Sequence, residues 1–292
     1  MVTPDGPSDP AGPVADGPND PTPDDPTGPS PDGPAPADPT GPVPDGELVL
    51  TARIESASNA VFLGTIGDTQ VVYKPEAGER PLWDFPDGTL AQREVAAYLV
   101  SEVFGGGIVP TTWLREGPAG PGMVQRWCEV DPEQTAVDVV PLDQVPASGW
   151  RHVFDGVDER DREVSLLHED GEALRRMALF DVVANNADRK AGHILAVAGG
   201  HRHGIDHGLT FHAEHKLRTV LWGWIDEPLQ PHELAAVTRV QDALGGRLGT
   251  ALSTLLTEVE VAALDERCSA LLASGRFPAP AGHMPAVPWP IF

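Results

Sequence analysis

Only three lysines stand among seventeen arginines, and one of them, Lys74, ends the run Val71-Val72-Tyr73 just before Pro75. An ammonium set against such an apolar strand is costly unless an anion meets it. Glu94, on the next helical pattern, has the type to supply that anion; the other reading of Lys74 is a side chain that snorkels off a strand end. A denser polar cluster, Asp181, Asn185, Asn186, Asp188, Arg189, Lys190 and His193, closes an apolar helix pattern and leads into a hairpin pattern that ends at Ile205-Asp206-His207-Gly208. Asp188 before that hairpin and Asp206 after it can face a single point. One of two such carboxylates can position or deprotonate a hydroxyl while the other holds a divalent metal. A polar turn network is the alternative reading of the same residues.

The elements that must position these groups follow from periodicity. Apolar alternation over 48–54, 61–66 and 70–74, broken by the polar stretch 55–59 and by Gly67-Asp68, predicts an antiparallel meander that carries Lys74 at its end. Leu90, Val95, Leu99 and Val103 share a helical face that Gly105-Gly106-Gly107 stops, which puts Glu94 on a helix. Strands are expected over 108–114 and 122–130. Helices are expected over 172–187, 232–243, 247–256 and 258–274, the last opened by a Thr257/Glu260 capping box. A hairpin over 192–206 interrupts them, turning at Gly199-Gly200. A β-rich half joined near residues 128–132 to a helix-rich half predicts an α+β fold of two lobes with a cleft between them.

Composition bounds the partners. Residues 1–46 hold fifteen prolines and nine aspartates with no lysine, arginine or aromatic side chain, so the segment is expected to be a disordered acidic tail. The net charge of −24 disfavours nonspecific binding to nucleic acid or to an anionic membrane. No targeting segment or apolar run of spanning length stands out, and a cytoplasmic protein without stable membrane association is expected. Cys128 and Cys268 are far apart in sequence and read as small core residues. Six of the ten histidines lie between His193 and His215, but without the spacing of a zinc site. Trp222 and Trp224 read as packing anchors, and the proline-rich 278–292 as an extended strap over the helical half.

Taken in order, Tyr73-Lys74-Pro75, Arg93-Glu94-Val95-Ala96-Ala97-Tyr98, Asn186-Ala187-Asp188-Arg189 and Ile205-Asp206-His207-Gly208 resemble the phosphatidylinositol 3/4-kinase-like branch of the protein-kinase-like superfamily, and within it a bacterial group. The likeness spans roughly residues 54–224. It implies a two-lobed kinase-like fold, with the N-lobe over 47–130 and a helical C-lobe over 131–292, holding ATP and Mg2+ or Mn2+ between them. On that resemblance Lys74 contacts phosphates and Glu94 orients it. Asp188, followed by Arg189, accepts the acceptor's hydroxyl proton, and Asp206 binds metal. Gln125, within 123–128, falls at the adenine hinge, while Ser58 and Asn59 lie in a glycine-poor phosphate-covering loop. His193 stands where the family carries asparagine as second metal ligand, and imidazole suits Mn2+ better than Mg2+; Asn186 is the other candidate. The stretch 211–219 would be the activation segment, its His212, His215, Lys216 and Arg218 forming a basic strip toward an acidic acceptor. The activity implied is phosphoryl transfer from ATP to a hydroxyl of a protein or small molecule. The alternatives are a nucleotide-binding pseudokinase with a regulatory role and a kinase-fold nucleotidyltransferase.

Overall fold

The meander over residues 48–75 forms as the alternation requires. In the computed structural model, which describes residues 41–54, 59–80, 82, 84–86, 88–282 and 284–292, it comprises β1 (Leu48–Ile54), β2 (Val61–Ile66) and β3 (Thr69–Pro75). Adding β4 (Thr112–Gly117) and β5 (Gly120–Arg126) gives an antiparallel five-stranded sheet in the order β1-β2-β3-β5-β4. Leu48, Ile66, Val71, Tyr73 and Val124 fill its small core. Gly122 pairs with Pro75, and a Cβ there would stand 2.4 Å from the carbonyl oxygen of Lys74. Only glycine lets β5 lie this close to the end of β3, so it helps to fix where Lys74 leaves the sheet.

Between β3 and β4 runs α1 (Leu90–Phe104), with the boundaries its periodicity predicts. Its first amides are capped from a distance, because Thr89 turns its hydroxyl to the carbonyl of Pro86. The Glu79 carboxylate accepts from the N–H groups of Leu90 (3.2 Å) and Ala91 (2.9 Å) instead. Burial pushes the Glu79 carboxyl up, with these two amides working against it and Glu76 and Glu94 with it. Gly105, at φ 90°, ends the helix where a side chain would be strained.

Three strands follow in the stretch between residues 131 and 171, for which periodicity predicts no element: β6 (Val137–Pro141), β7 (Trp150–Val157) and β8 (Glu163–Glu169), antiparallel in the order β6-β8-β7. Only β8 has strands on both sides, and only β8 has a run of buried residues, Ser165 to His168. The edge strands are mixed and half-exposed, so their alternation is weak. The C-lobe expected over 131–292 thus carries a three-stranded sheet in addition to its hairpin and helices.

Next comes α2 (Glu172–Ala184), three residues shorter than expected because Asn185 adopts the left-handed conformation at φ 51°. The hairpin is β9 (Ile194–Ala196) and β10 (Arg202–Gly204). Then α3 (Pro231–Leu244), the short α4 (Arg247–Leu252) and α5 (Glu258–Ser274) complete the fold, the last with the Thr257/Glu260 capping box in place. A large core joins these helices, and α1 belongs to it: Ala96, Ala97, Val100 and Phe104 pack with Leu179, Phe180, Val183, Val237 and Leu264. The described residues make one compact α+β unit.

Both ends of the described chain are tied down. Residues 41–46, read as tail, run against the five-stranded sheet: the Gly41 carbonyl accepts from Thr111 Oγ1 (2.9 Å), Pro42 from Arg126 and Gly46 from Arg115. The rest of the expected tail, 1–40, lies outside the described residues. At the other end the strap is docked. The Ala286 carbonyl accepts from Thr219 N (3.0 Å) and Trp222 Nε1 (2.9 Å), and that of Ile291 accepts from Ala191 N (2.8 Å). Trp222 and Trp224 are buried, as are Cys128 and Cys268, whose thiols burial pushes up to about 12. Among the described residues no helix is long and apolar enough to cross a membrane.

Candidate active site between the sheet and the helices

Four elements meet at one point. Lys74, at the end of β3, donates to Glu94 Oε1 of α1 (2.6 Å) and to Asp206 Oδ1 just beyond β10 (2.9 Å). The second oxygen of Glu94 accepts the backbone N–H of His207 (2.8 Å), so one buried carboxylate anchors both the lysine and the segment that carries Asp206. Burial opposes the Lys74 charge, but Asp206 and then Glu94 outweigh it and hold the ammonium above its ordinary range. The Lys74 charge in turn holds Asp206 far below the usual carboxylate range against the cost of its burial, with His193 contributing. The Asp206 side chain is nevertheless about half exposed (49%) and reaches open solvent. Its φ of 59° is one that aspartate tolerates better than most side chains, and it turns the chain sharply after the hairpin.

The loop after α2 completes the cluster. His193 Nε2 lies 3.3 Å from Asp206 Oδ2, and Nδ1 of the same ring lies 2.9 Å from the Asp188 carbonyl oxygen. Burial keeps His193 below its ordinary range; Asp206 opposes this and the Arg189 charge adds to it. The Asp188 carboxylate pairs with Lys190 Nζ at 3.1 Å, and its backbone N–H is fixed by Asn186 Oδ1 (3.0 Å). Lys74, Glu94, Asp206 and His193 thus stand in one chain of contacts, which Asp188 joins through its backbone carbonyl.

Other expected residues are placed differently. Arg189 is fully buried, bonded to Asp181 through Nε (3.0 Å) and Nη2 (2.9 Å), to the carbonyls of His193 and Ile205 through Nη1, and to His207 Nε2 (2.7 Å). It cannot touch a substrate; it positions the two loops that carry Asp188 and Asp206. Gln125 is not at a hinge, because β5 runs through it to Arg126, and its amide donates to Thr112 Oγ1 (2.9 Å) inside the sheet. The side chain of Asn59 accepts from Arg80 N (3.0 Å), pinning the β1–β2 loop instead of pointing to a ligand. Ser58 lies outside the described residues. Asn186 spends its amide on buried Asp181 (2.9 Å) and its carbonyl on Asp188, so it is no metal ligand. The basic strip is largely spent as well: Lys216 pairs with Asp84 (3.1 Å) and Arg218 donates to the Ala187 carbonyl (2.6 Å).

Two residues of the quoted motifs and polar cluster have roles that those patterns alone do not assign. Lys190 is the partner of Asp188, and the scarcity of lysine was the signal for it. Arg93, beside Glu94, is buried and bonds Glu260 (2.5 Å) and the Thr210 carbonyl (2.7 Å) with its face on Phe85. It ties α1 to the α5 capping box and to the segment after Asp206; an arginine within an apolar helical face was its only trace.

The donor set at Asp206 and His193 is one carboxylate oxygen and one imidazole nitrogen. Among the described residues no cluster of three or more histidine, cysteine, aspartate or glutamate side chains forms a metal cage. Two protein donors suit a divalent cation that takes its remaining ligands from phosphate oxygens and water. The site combines a fixed ammonium, a solvent-facing carboxylate beside an imidazole, and a second carboxylate one loop away, which is what phosphoryl transfer needs for charge neutralisation and for a hydroxyl's proton.

No family model matches the chain. Protein Rv2133c of Mycobacterium tuberculosis is 50% identical to it in an alignment of 260 residues that covers 85% of this chain and 93% of that protein. The crystal structure of the Helicobacter pylori proinflammatory kinase CtkA matches with a TM-score of 0.43 at 10% identity, over 80% of this chain and 93% of the other, a likeness too distant to carry chemistry across.

Proposed function

The chain belongs to the family of the mycobacterial protein Rv2133c, and we propose that its site is that of an ATP- and divalent-cation-dependent phosphotransferase acting on a hydroxyl of a protein or small molecule. The observation that carries this reading is Lys74 held between Glu94 and Asp206, with His193 and the Asp188 loop against the same carboxylate. A strand lysine so fixed presents a point charge to phosphate oxygens without spending entropy at the moment of binding.

Asp206, with His193 beside it, would hold the cation, which when bound neutralises phosphate charge. Asp188 is the group within the site that can accept the acceptor's proton at a carboxylate oxygen, once its pairing with Lys190 opens toward the incoming hydroxyl. Arg189 and Arg93 touch no reacting atom; they hold the loops and α1 in register.

The test is thermal unfolding of the wild type and Asp206→Ala with ATP or ADP, each with Mg2+ or Mn2+. A ligand that binds only the folded state raises apparent stability by mass action. Stabilisation that needs both nucleotide and metal in the wild type and disappears in Asp206→Ala is the expected outcome. No shift with any pair overturns the reading. The ion pair between Asp188 and Lys190 favours a second reading, nucleotide binding without turnover; stabilisation with no labelled phosphate or AMP on any product would select it.

A further inference from the structure

After α5 the chain turns back across the helices and reaches the loop that carries Asp188. There the Ile291 carbonyl accepts from Ala191 N (2.8 Å), and the Ala286 carbonyl accepts from Thr219 N (3.0 Å) and Trp222 Nε1 (2.9 Å). These attachments fall on the two sides of one junction. Arg189 and Thr219 form a parallel bridge, in which Arg189 N donates to the Arg218 carbonyl (3.1 Å) and Val220 N to the Arg189 carbonyl (3.1 Å). The strap thus bonds both backbones that meet beside Asp188.

Its sequence explains why it docks by its carbonyls. Pro285, Pro288 and Pro290 have no N–H to donate and restrict the free segment, so little freedom is lost when it is seated. Val287 and Ile291 pack on the large core, while Trp289 (83% exposed) and Phe292 (63%) stay in solvent. Two aliphatic side chains and two carbonyls therefore fix the strap.

The Asp188 loop is held from inside by the Arg189 guanidinium, which fixes one residue and leaves the loop free to pivot about it. At Ala191 it is held from outside, at the first residue of the 3-10 turn Ala191–His193. Between the two points stands Lys190, the partner of the Asp188 carboxylate. A group that takes a proton must lie within hydrogen-bond reach of it, and a misplacement of about 1 Å can cost about 100-fold in rate.

We propose that the strap is a positioning element of the reaction: the Ile291 carbonyl, acting through Ala191 N–H, sets the Asp188–Lys190 loop for transfer and touches no reacting atom itself. The inference rests on the phosphotransferase reading and adds a contact outside the cleft on which turnover depends and nucleotide binding does not. Lys74, Glu94 and Asp206 make their mutual contacts on β3, α1 and the segment after β10, so they should keep their places when the strap is released.

The experiment uses the full chain and follows ADP release from labelled ATP with water as the acceptor. Ala191→Pro deletes the donor; Lys190, at ψ 163°, already has the extended backbone that precedes proline, and the first position of a helical turn accepts one. Ile291→Asp attacks the same contact from the strap, by setting a charge on an apolar seat. Each variant should lower kcat about 30-fold or more while KM for ATP, and the thermal stabilisation by ADP with Mg2+, stay within about threefold of the wild type. The double variant should be no slower than the slower single one, because both break one contact. Values of kcat within about twofold of the wild type in both single variants would overturn the role of the strap and leave the phosphotransferase reading standing. Loss of the nucleotide-dependent stabilisation together with kcat, or losses that multiply in the double variant, would reduce the strap to a structural part and overturn the proposal. A wild type that releases no ADP would overturn the phosphotransferase reading, and this proposal with it.

Discussion

The cleft and the scaffold behind it use opposite kinds of ion pair. In the cleft the cations are lysines: Lys74 with Glu94 and Asp206, Lys190 with Asp188, all on side chains that keep contact with solvent except Glu94. Behind it they are arginines: Arg189 on Asp181, both fully buried, and Arg93 on Glu260. An ammonium is a single mobile charge that can leave a carboxylate for a phosphate, while a guanidinium fork distributes its hydrogen bonds over several fixed acceptors. Two of the three lysines thus stand on partners that can be exchanged, while the buried pairs behind them are held by arginine.

That contrast can be broken most directly at Asp181. Asp181→Ala leaves the Arg189 charge buried without its carboxylate, and a loss of about 3–5 kcal/mol in denaturant unfolding is expected. A loss under about 1 kcal/mol would mean that the arginine network is not the scaffold described here.

A smaller effect of the same kind comes from acid. His168 is fully buried: its Nδ1 donates to the Glu169 carbonyl (2.9 Å) and its Nε2 accepts from Gly223 N (3.0 Å). Burial lowers its pKa to about 4, helped by Arg151. Protonation would set Nε2–H against the Gly223 N–H. The unfolded chain takes up the proton near the ordinary value of about 6.5 and the folded one only near 4. Stability from this group is therefore complete above pH 6.5 and is lost as pH falls to 4, by up to about 3 kcal/mol. Unfolding midpoints of His168→Gln should fall less steeply over that window than those of the wild type, with the residual slope owed in part to His203, also lowered to about 4 by burial. Equal slopes would exclude His168 as a source of acid sensitivity.

The smallest stability change belongs to the cleft. Lys74→Met should cost about 1–2 kcal/mol, because Glu94 stays buried without its ammonium but keeps the His207 amide, while Asp206 turns to solvent. The same change should abolish the nucleotide-dependent thermal shift. If Lys74→Met unfolds the protein as badly as Asp181→Ala does, the division between exchangeable lysines and fixed arginines fails.

The sequence disclosed what depends on local pattern and withheld what depends on distant partners. The meander and α1 were legible because alternation and a helical face, stopped by Gly105, are local signals. The strands β6 and β7 were not, because each has only one neighbour in its sheet and buries too little to alternate clearly. The contact between Lys74, Glu94, Asp206 and His193 was legible only through the order of short motifs in the chain. The motif Asn186-Ala187-Asp188-Arg189 groups Arg189 with Asp188 as a catalytic pair. The burial of Arg189 is settled by Asp181, His207 and the carbonyls of His193 and Ile205, which adjacency in sequence does not reveal. Composition likewise carried the tail six residues too far, since three backbone carbonyls in 41–46 find donors more than sixty residues away.

Helix α1 has one further consequence. Its apolar face is shared with α2, α3 and α5, and Arg93 ties it to Glu260 at the head of α5. A lever of this kind cannot be thrown without opening the interior that the whole molecule stands on. The position of Glu94, and with it that of Lys74, is therefore set by the same interior that holds the unit together.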